Sequence, residues 1–79
     1  MTLPTVDKKK TGENIKRYMR LNKVDTFELS NLLGLKSTTN VYYWLQGKNV
    51  PNADSLVKLA AIFDCTCDDI LITEIVENE

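Results

Sequence analysis

The stretch DTFELSNLLGLKSTTNVYYWLQG, residues 25–47, decides the fold. Asp25 followed by Glu28 has the form of a capping box, in which two side chains satisfy each other's orphan amides at a helix start. Leu29, Leu32 and Leu33 then recur at helical spacing. Gly34 closes the run, being the residue type that most easily takes the left-handed turn past a helix end. After Leu35 and Lys36, Ser37 offers a second cap, Val41, Trp44 and Leu45 form a second inward stripe, and Gly47 is a second stop. The spacing predicts two short helices joined by a glycine turn, the second over 37–46.

Working outward, the same signals repeat. Thr11 is placed to cap a helix running to about Leu21, with Ile15, Tyr18 and Met19 on its stripe. Pro51 and Asn52 open another, with Leu56, Leu59, Ala60 and Phe63 at i, i+3, i+4 and i+7. Thr66, with Asp69 three residues on, caps a last short helix ending near Leu71. No segment alternates in a sustained way, although Ile70 to Val76 is able to extend. The expected fold is all-α, a compact arrangement of five helices over residues 10–72. Residues 1–9 carry no helical stripe and are expected to form a flexible arm, and residues 73–79 an acidic tail.

Composition narrows the chemistry. Seventy-nine residues make one small domain. There is no histidine, which removes the commonest general base, the Ser/His and Cys/His nucleophile pairs and most zinc chemistry. Cys65 and Cys67 have no other thiol to join, so they read as small apolar side chains in a reducing cytoplasm. Asp68 and Asp69, the only adjacent carboxylates, suit the positive end of a helix dipole. No catalytic residue, metal or cofactor is expected, and the chain does not read as an enzyme. Apolar runs such as Leu59–Phe63 reach five residues, too short for a membrane span, and no basic segment leads into an apolar core.

The net charge of −1 conceals a division. Residues 1–50 hold nine Lys or Arg against four Asp or Glu, a balance of +5, while residues 51–79 hold one against seven, a balance of −6. Lysines 8–10 and the terminal glutamates account for part of it, but a basic half can still present a positive face.

A helix of about eight residues, a glycine turn and a second helix fit the bihelical arrangement that reads duplex DNA. Turning Val41, Trp44 and Leu45 inward sends Thr38, Thr39, Tyr42, Tyr43 and Gln46 outward, with Asn40 on the flank. Asn40 has the geometry to bond adenine bidentately, and a threonine methyl suits that of thymine. The adjacent tyrosines reach phosphates or sugars unless one of them turns into the core. Ser37, Lys48 and Asn49 flank the helix, and Thr26 opens the preceding one with an amide and a hydroxyl. Arg17 and Arg20 lie on the outer side of the first helix, and Arg17 is a further phosphate candidate. No arginine occurs on the reading helix, so specificity is expected from A·T contacts, water or DNA shape.

From Glu13 to Leu71 the chain resembles the phage-repressor-like helix–turn–helix family, the XRE or Cro/C1 type with a lambda-repressor-like domain. The resemblance rests on Ile15 and Tyr18, Asp25 to Gly34, Val41 to Lys48, Pro51, Leu56, Leu59 and Ala60, and Asp68 to Leu71 in order. Ser30 stands where the family has alanine, Met19 where it has arginine, and Thr26 where it has a contacting glutamine. One extra residue between Gly34 and Val41 shifts the reading helix by a position. The resemblance implies a bacterial, cytoplasmic transcriptional regulator, a repressor, that binds double-stranded DNA. It implies a homodimer on a pseudo-palindrome with half-sites about 34 Å apart. No membrane or small-molecule effector is expected. The competing reading is a protein-interaction module or antitoxin-like adaptor, whose acidic segment from Ile72 to Glu79 pairs with a partner.

Overall fold

In a computed structural model, which describes residues 2–77, Asp7 rather than Thr11 opens the first helix. Its carboxylate accepts the Lys10 N–H at 2.9 Å, and α1 runs Lys8–Leu21, a turn longer at its start than the sequence suggests. Thr11 is buried instead. Its hydroxyl accepts the Ile72 N–H at 3.0 Å and donates to the Ile72 carbonyl at 3.3 Å, a partnership across 61 positions that no local pattern announces.

α2 (Thr26–Leu32) starts on the expected box: Asp25 Oδ1 accepts the Glu28 N–H at 2.8 Å and Glu28 Oε1 accepts the Asp25 N–H at 3.4 Å. It ends in a Schellman motif, with Gly34 at φ +74° and the Leu35 N–H on the Ser30 carbonyl at 2.9 Å. Leu29, Ser30 and Leu33 are buried and Thr26 half-buried, but Leu32 is 60% exposed, contrary to the reading that turned it inward. The buried stripe of α2 is centred between Leu29 and Ser30, and Leu32 falls off its edge.

α3 (Thr39–Leu45) is shorter than 37–46. Its N-cap is Thr38, in helical backbone conformation and with no capping side chain; Ser37 Oγ accepts only the Thr39 N–H, at 3.4 Å. The cap expected of Ser37 is therefore not made, because three successive bends over 36–38 carry the chain past it. α3 closes in the same Schellman geometry, with Gly47 at φ +75° and the Lys48 N–H on the Tyr43 carbonyl at 3.0 Å. α4 (Ala53–Phe63) is capped by Asn52 on the Ser55 N–H at 2.8 Å. α5 (Cys67–Ile70) begins on the Thr66/Asp69 box.

The expectation of an all-α chain is corrected at its ends. Residues 2–6 (β1) and 73–77 (β2) pair antiparallel in a two-stranded ribbon, Thr2 opposite Glu77 and Val6 opposite Thr73. The register continues into the Asp7 N–H···O Ile72 bond of 2.8 Å. Thr5, Val6, Ile75 and Val76 are the residue types that favour strands, but each arm alone is too short to reveal a partner at the other end of the chain. So the segments read as arm and tail are paired over 2–6 and 73–77; residues 1, 78 and 79 lie outside the described part.

One core serves all five helices. Ile15, Leu29, Val41, Leu59 and Ile70 have no exposure, and Met19, Leu33, Trp44 and Phe63 complete the cluster. Tyr18 stacks on Phe63 with ring centroids 5.4 Å apart. α1 and α3 are the most closely packed helices, and Gly12 makes this possible: a Cβ there would overlap the Trp44 carbonyl oxygen.

Candidate functional site

The arrangement that presents α3 begins with its buried side. Val41 has no exposure and Trp44 only 4%, and both point into the cluster between α1, α2 and α4. Leu45 packs half-buried beside them. Three anchors in seven residues fix the helix's rotation about its own axis, and the rest of the surface follows from the 100° step between residues.

Thr39, Asn40, Tyr42, Tyr43 and Gln46 are all exposed. Thr38 is half-buried, at the edge of the flank rather than on it. Neither tyrosine turns into the core; Tyr42 is 49% and Tyr43 38% exposed. Lys48, just past the helix, folds back so that its ammonium lies 5.0 Å from the centre of the Tyr43 ring. The flank thus carries hydroxyls, amides and aromatic faces with one cation held against it. Among the described residues nothing covers it. Of the segment from Ile72 to Glu79 that the adaptor reading offers to a partner, residues 73–77 pair along one edge with β1.

Asn40 and Asn49 come together at one end of this surface. They border a shallow recess with Leu35, Trp44, Val50 and Asn52, between the turn after α2 and the loop before α4. Ser37 is exposed beside the start of α3, and Thr26 sits half-buried on the first turn of α2. Ser30, in the position where the family has alanine, is buried with its hydroxyl donating to the Thr26 carbonyl at 2.8 Å, so it adds no contact group to the surface.

Arg17 is placed elsewhere. Its guanidinium donates to Asn14 Oδ1 from Nε at 3.1 Å and from an Nη at 2.9 Å, and lies over the Tyr18 ring. Asn14 in turn donates to the Asp69 and Ile70 carbonyls, so this side of α1 faces α5, not α3. The cation that the sequence reading passed over is Lys9. Its backbone abuts the turn after α3, where a Cβ on Gly47 would come within 2.9 Å of Lys9 Cα. Lys9 and Lys48 therefore sit at the same corner. Only a contact across 38 positions places them there, so no sequence signal could have paired them.

Cys65 is not poised for chemistry. Cys65 is half-buried, and burial pushes its thiol above the ordinary value although a hydrogen bond with Tyr18 acts the other way. Among the described residues no cluster of His, Cys, Asp or Glu could hold a metal, and no helix is long and apolar enough to cross a membrane.

The model of the Cro/C1-type HTH DNA-binding domain family matches residues 14–74, from Asn14 in α1 to Glu74 in β2. Among solved structures, the restriction-modification controller protein C.AhdI from Aeromonas hydrophila is similar in fold, with a TM-score of 0.72 over 81% of this chain and 96% of that one, at 20% identity. No curated protein matches the chain in sequence.

Proposed function

The chain belongs to the Cro/C1-type helix–turn–helix DNA-binding family, and from that premise we propose that it is a sequence-specific transcriptional regulator that lays α3 in the major groove and represses by occupying its site. The observation that carries the reading is the open flank of α3: Thr39, Asn40, Tyr42, Tyr43 and Gln46 stand exposed on a helix whose rotation is locked by Val41 and Trp44. Asn40 is the base-reading residue, bidentate to adenine, and Thr39 supplies a methyl for thymine. Lys48 and Lys9 hold phosphates at the C-terminal corner of α3, and Thr26, Ser37, Thr38 and Asn49 position the backbone around it. Tyr42 and Tyr43 pack on sugars or phosphates along the groove wall.

Selection of bound fragments from random duplex DNA, followed by titration at two salt concentrations, tests this. A recovered consensus with an affinity that falls steeply as salt rises is the expected result, since each phosphate neutralised contributes a slope of about 0.9 in log–log terms. An affinity that barely responds to salt, or no enrichment of any sequence, would overturn the reading.

A further inference from the structure

α1 carries two stripes of cations, and only one of them lies beside the reading helix. At about 100° per residue, Lys9 and Lys16 fall within about 60° of Gly12, where α1 meets α3, whereas Lys10 and Arg17 fall about 150° around the helix from it. The second stripe borders an open groove of about 350 Å³, lined by Lys10, Glu13, Asn14, Arg17, Arg20 and Ile72. Ile72 and the aliphatic stems of the cations make part of this lining apolar. Arg17 is held in place there. Its Nε–H and one Nη–H converge on Asn14 Oδ1, and the guanidinium lies 4.5 Å from the centre of the Tyr18 ring. Asn14 is fixed in turn by donating to the carbonyls of Asp69 at 2.7 Å and Ile70 at 3.0 Å. One edge of the guanidinium is thus engaged, and the edge formed by the two Nη atoms keeps a parallel pair of N–H donors that matches a carboxylate. Among the described residues no carboxylate pairs with Lys10, Arg17 or Arg20, not even Glu13 one turn before Arg17; the ion pair that forms joins Asp54 and Lys58 on α4.

We propose that this groove docks an acidic segment of a partner protein. One carboxylate of the segment takes the free fork of Arg17, and a second, about 10 Å along α1, takes Lys10, a spacing set by the helical rise between them. An apolar side chain of the segment rests between the two on Ile72, which the Thr11 hydrogen bond of 3.0 Å holds at that level of α1. The choice of a peptide over a nucleic acid rests on the charges around the fork. Glu13 stands between Lys10 and Arg17 along the helix, and the carbonyl end of α5, which carries Asp68 and Asp69, meets Asn14 at the groove's edge. A phosphate backbone places a charge at every nucleotide and would run over these acids. A peptide sets its carboxylates only where the cations are. The groove also opens away from the side of α1 that packs on α3, so a protein can occupy it while α3 reads DNA.

The test titrates the full chain, without DNA, against fluorescein-labelled twelve-residue peptides of Ala, Ser and Gly that carry one Leu between two Glu set two to seven positions apart. Each peptide has a twin with Gln for both Glu. Anisotropy gives the affinity, and amide shifts of isotope-labelled protein give the place. The best acidic peptide should bind with a dissociation constant below about 1 mM, its twin at least about tenfold more weakly, and the shifts should centre on Arg17, Asn14 and Ile72. Arg17→Gln should weaken binding about tenfold, and Arg17→Lys nearly as much, because a point charge lacks the fork. Lys10→Gln should weaken it about threefold and covers the case in which loss of the Arg17–Asn14 bonds perturbs α1. Helical circular dichroism should be unchanged in each variant. No acidic peptide binding below about 1 mM, equal binding by the Gln twins, or shifts centred on the Lys9 and Lys48 corner overturns the proposal. So does binding that neither Arg17→Gln nor Lys10→Gln weakens. Duplex DNA that displaces the peptide, or that itself shifts the Arg17 and Ile72 amides, would assign the groove to nucleic acid and overturn it as well. Because the peptide titrations contain no DNA, their failure leaves the DNA-reading proposal standing, and failure of that proposal leaves the peptide result intact.

Discussion

In the proposed complex Asn40 and Lys48 have different tasks, because one faces base edges and the other a charge that every sequence shares. In the proposed complex Asn40→Ala loses a bidentate pair, costing about 1–3 kcal/mol on the preferred site and relaxing selectivity at one base pair. Lys48→Ala should weaken all sequences alike and lower the salt slope by about one. Quantitative binding to the selected site and to a scrambled duplex separates the two; equal loss on both duplexes for Asn40→Ala would remove it from base reading. Gly12 shows how a residue's cost inverts with context. In an exposed helix, alanine for glycine gains about 1 kcal/mol. Here the added Cβ meets the Trp44 carbonyl, so Gly12→Ala should destabilise by about 1–3 kcal/mol in urea melts. Gly12 carries no sequence signal of this role, since the contact lies on another helix.

Element ends were the most readable level. Both capping boxes and the glycine stops after α2 and α3 form as the local chemistry predicts, because donor and acceptor lie within three or four residues. The same left-handed stop is taken by Lys23 at φ 55° after α1 and Asp64 at φ 54° after α4, where no glycine advertises it. The box of α5 has a pH consequence. The Thr66 N–H and hydroxyl hold the Asp69 carboxyl below its ordinary value. A lowered folded pKa means the box stabilises fully above the unfolded value, roughly pH 4, and loses its contribution as pH falls through the folded one. Wild-type urea melts from neutral to acid pH should therefore show a loss that Asp69→Asn lacks. Parallel curves for the two proteins would count against it. Ser37 and Leu32 were misplaced for one reason: the bends over 36–38 and the rotation of α2 are set by what those elements pack on, not by their own spacing.

At the scale of the whole molecule the chain's two ends are held together through α1. Thr11 holds both backbone groups of Ile72, and Asn14 takes the last carbonyls of α5, so the acidic C-terminal segment is tied to the basic N-terminal one. Thr11→Val keeps the shape but strands the Ile72 N–H in a part-buried position, while the Ile72 carbonyl keeps the Asp7 N–H, at a cost of about 1–3 kcal/mol. Amide exchange over residues 72–76 should rise more than in α2 or α3. A uniform rise across the molecule would instead mean that the ribbon opens only with global unfolding.

The sequence by itself determined five helices, most of their ends, the inward stripe of α3 and hence the residues on its open flank, because these depend on bonds and periodicities a few residues long. The tertiary structure alone decided the ribbon, the burial of Thr11, the anchoring of Asn14 on α5 and the approach of Lys9 to the turn at Gly47. Each of these joins groups far apart in the chain, and such pairings are selected by the shape of the packed core, which no local pattern encodes.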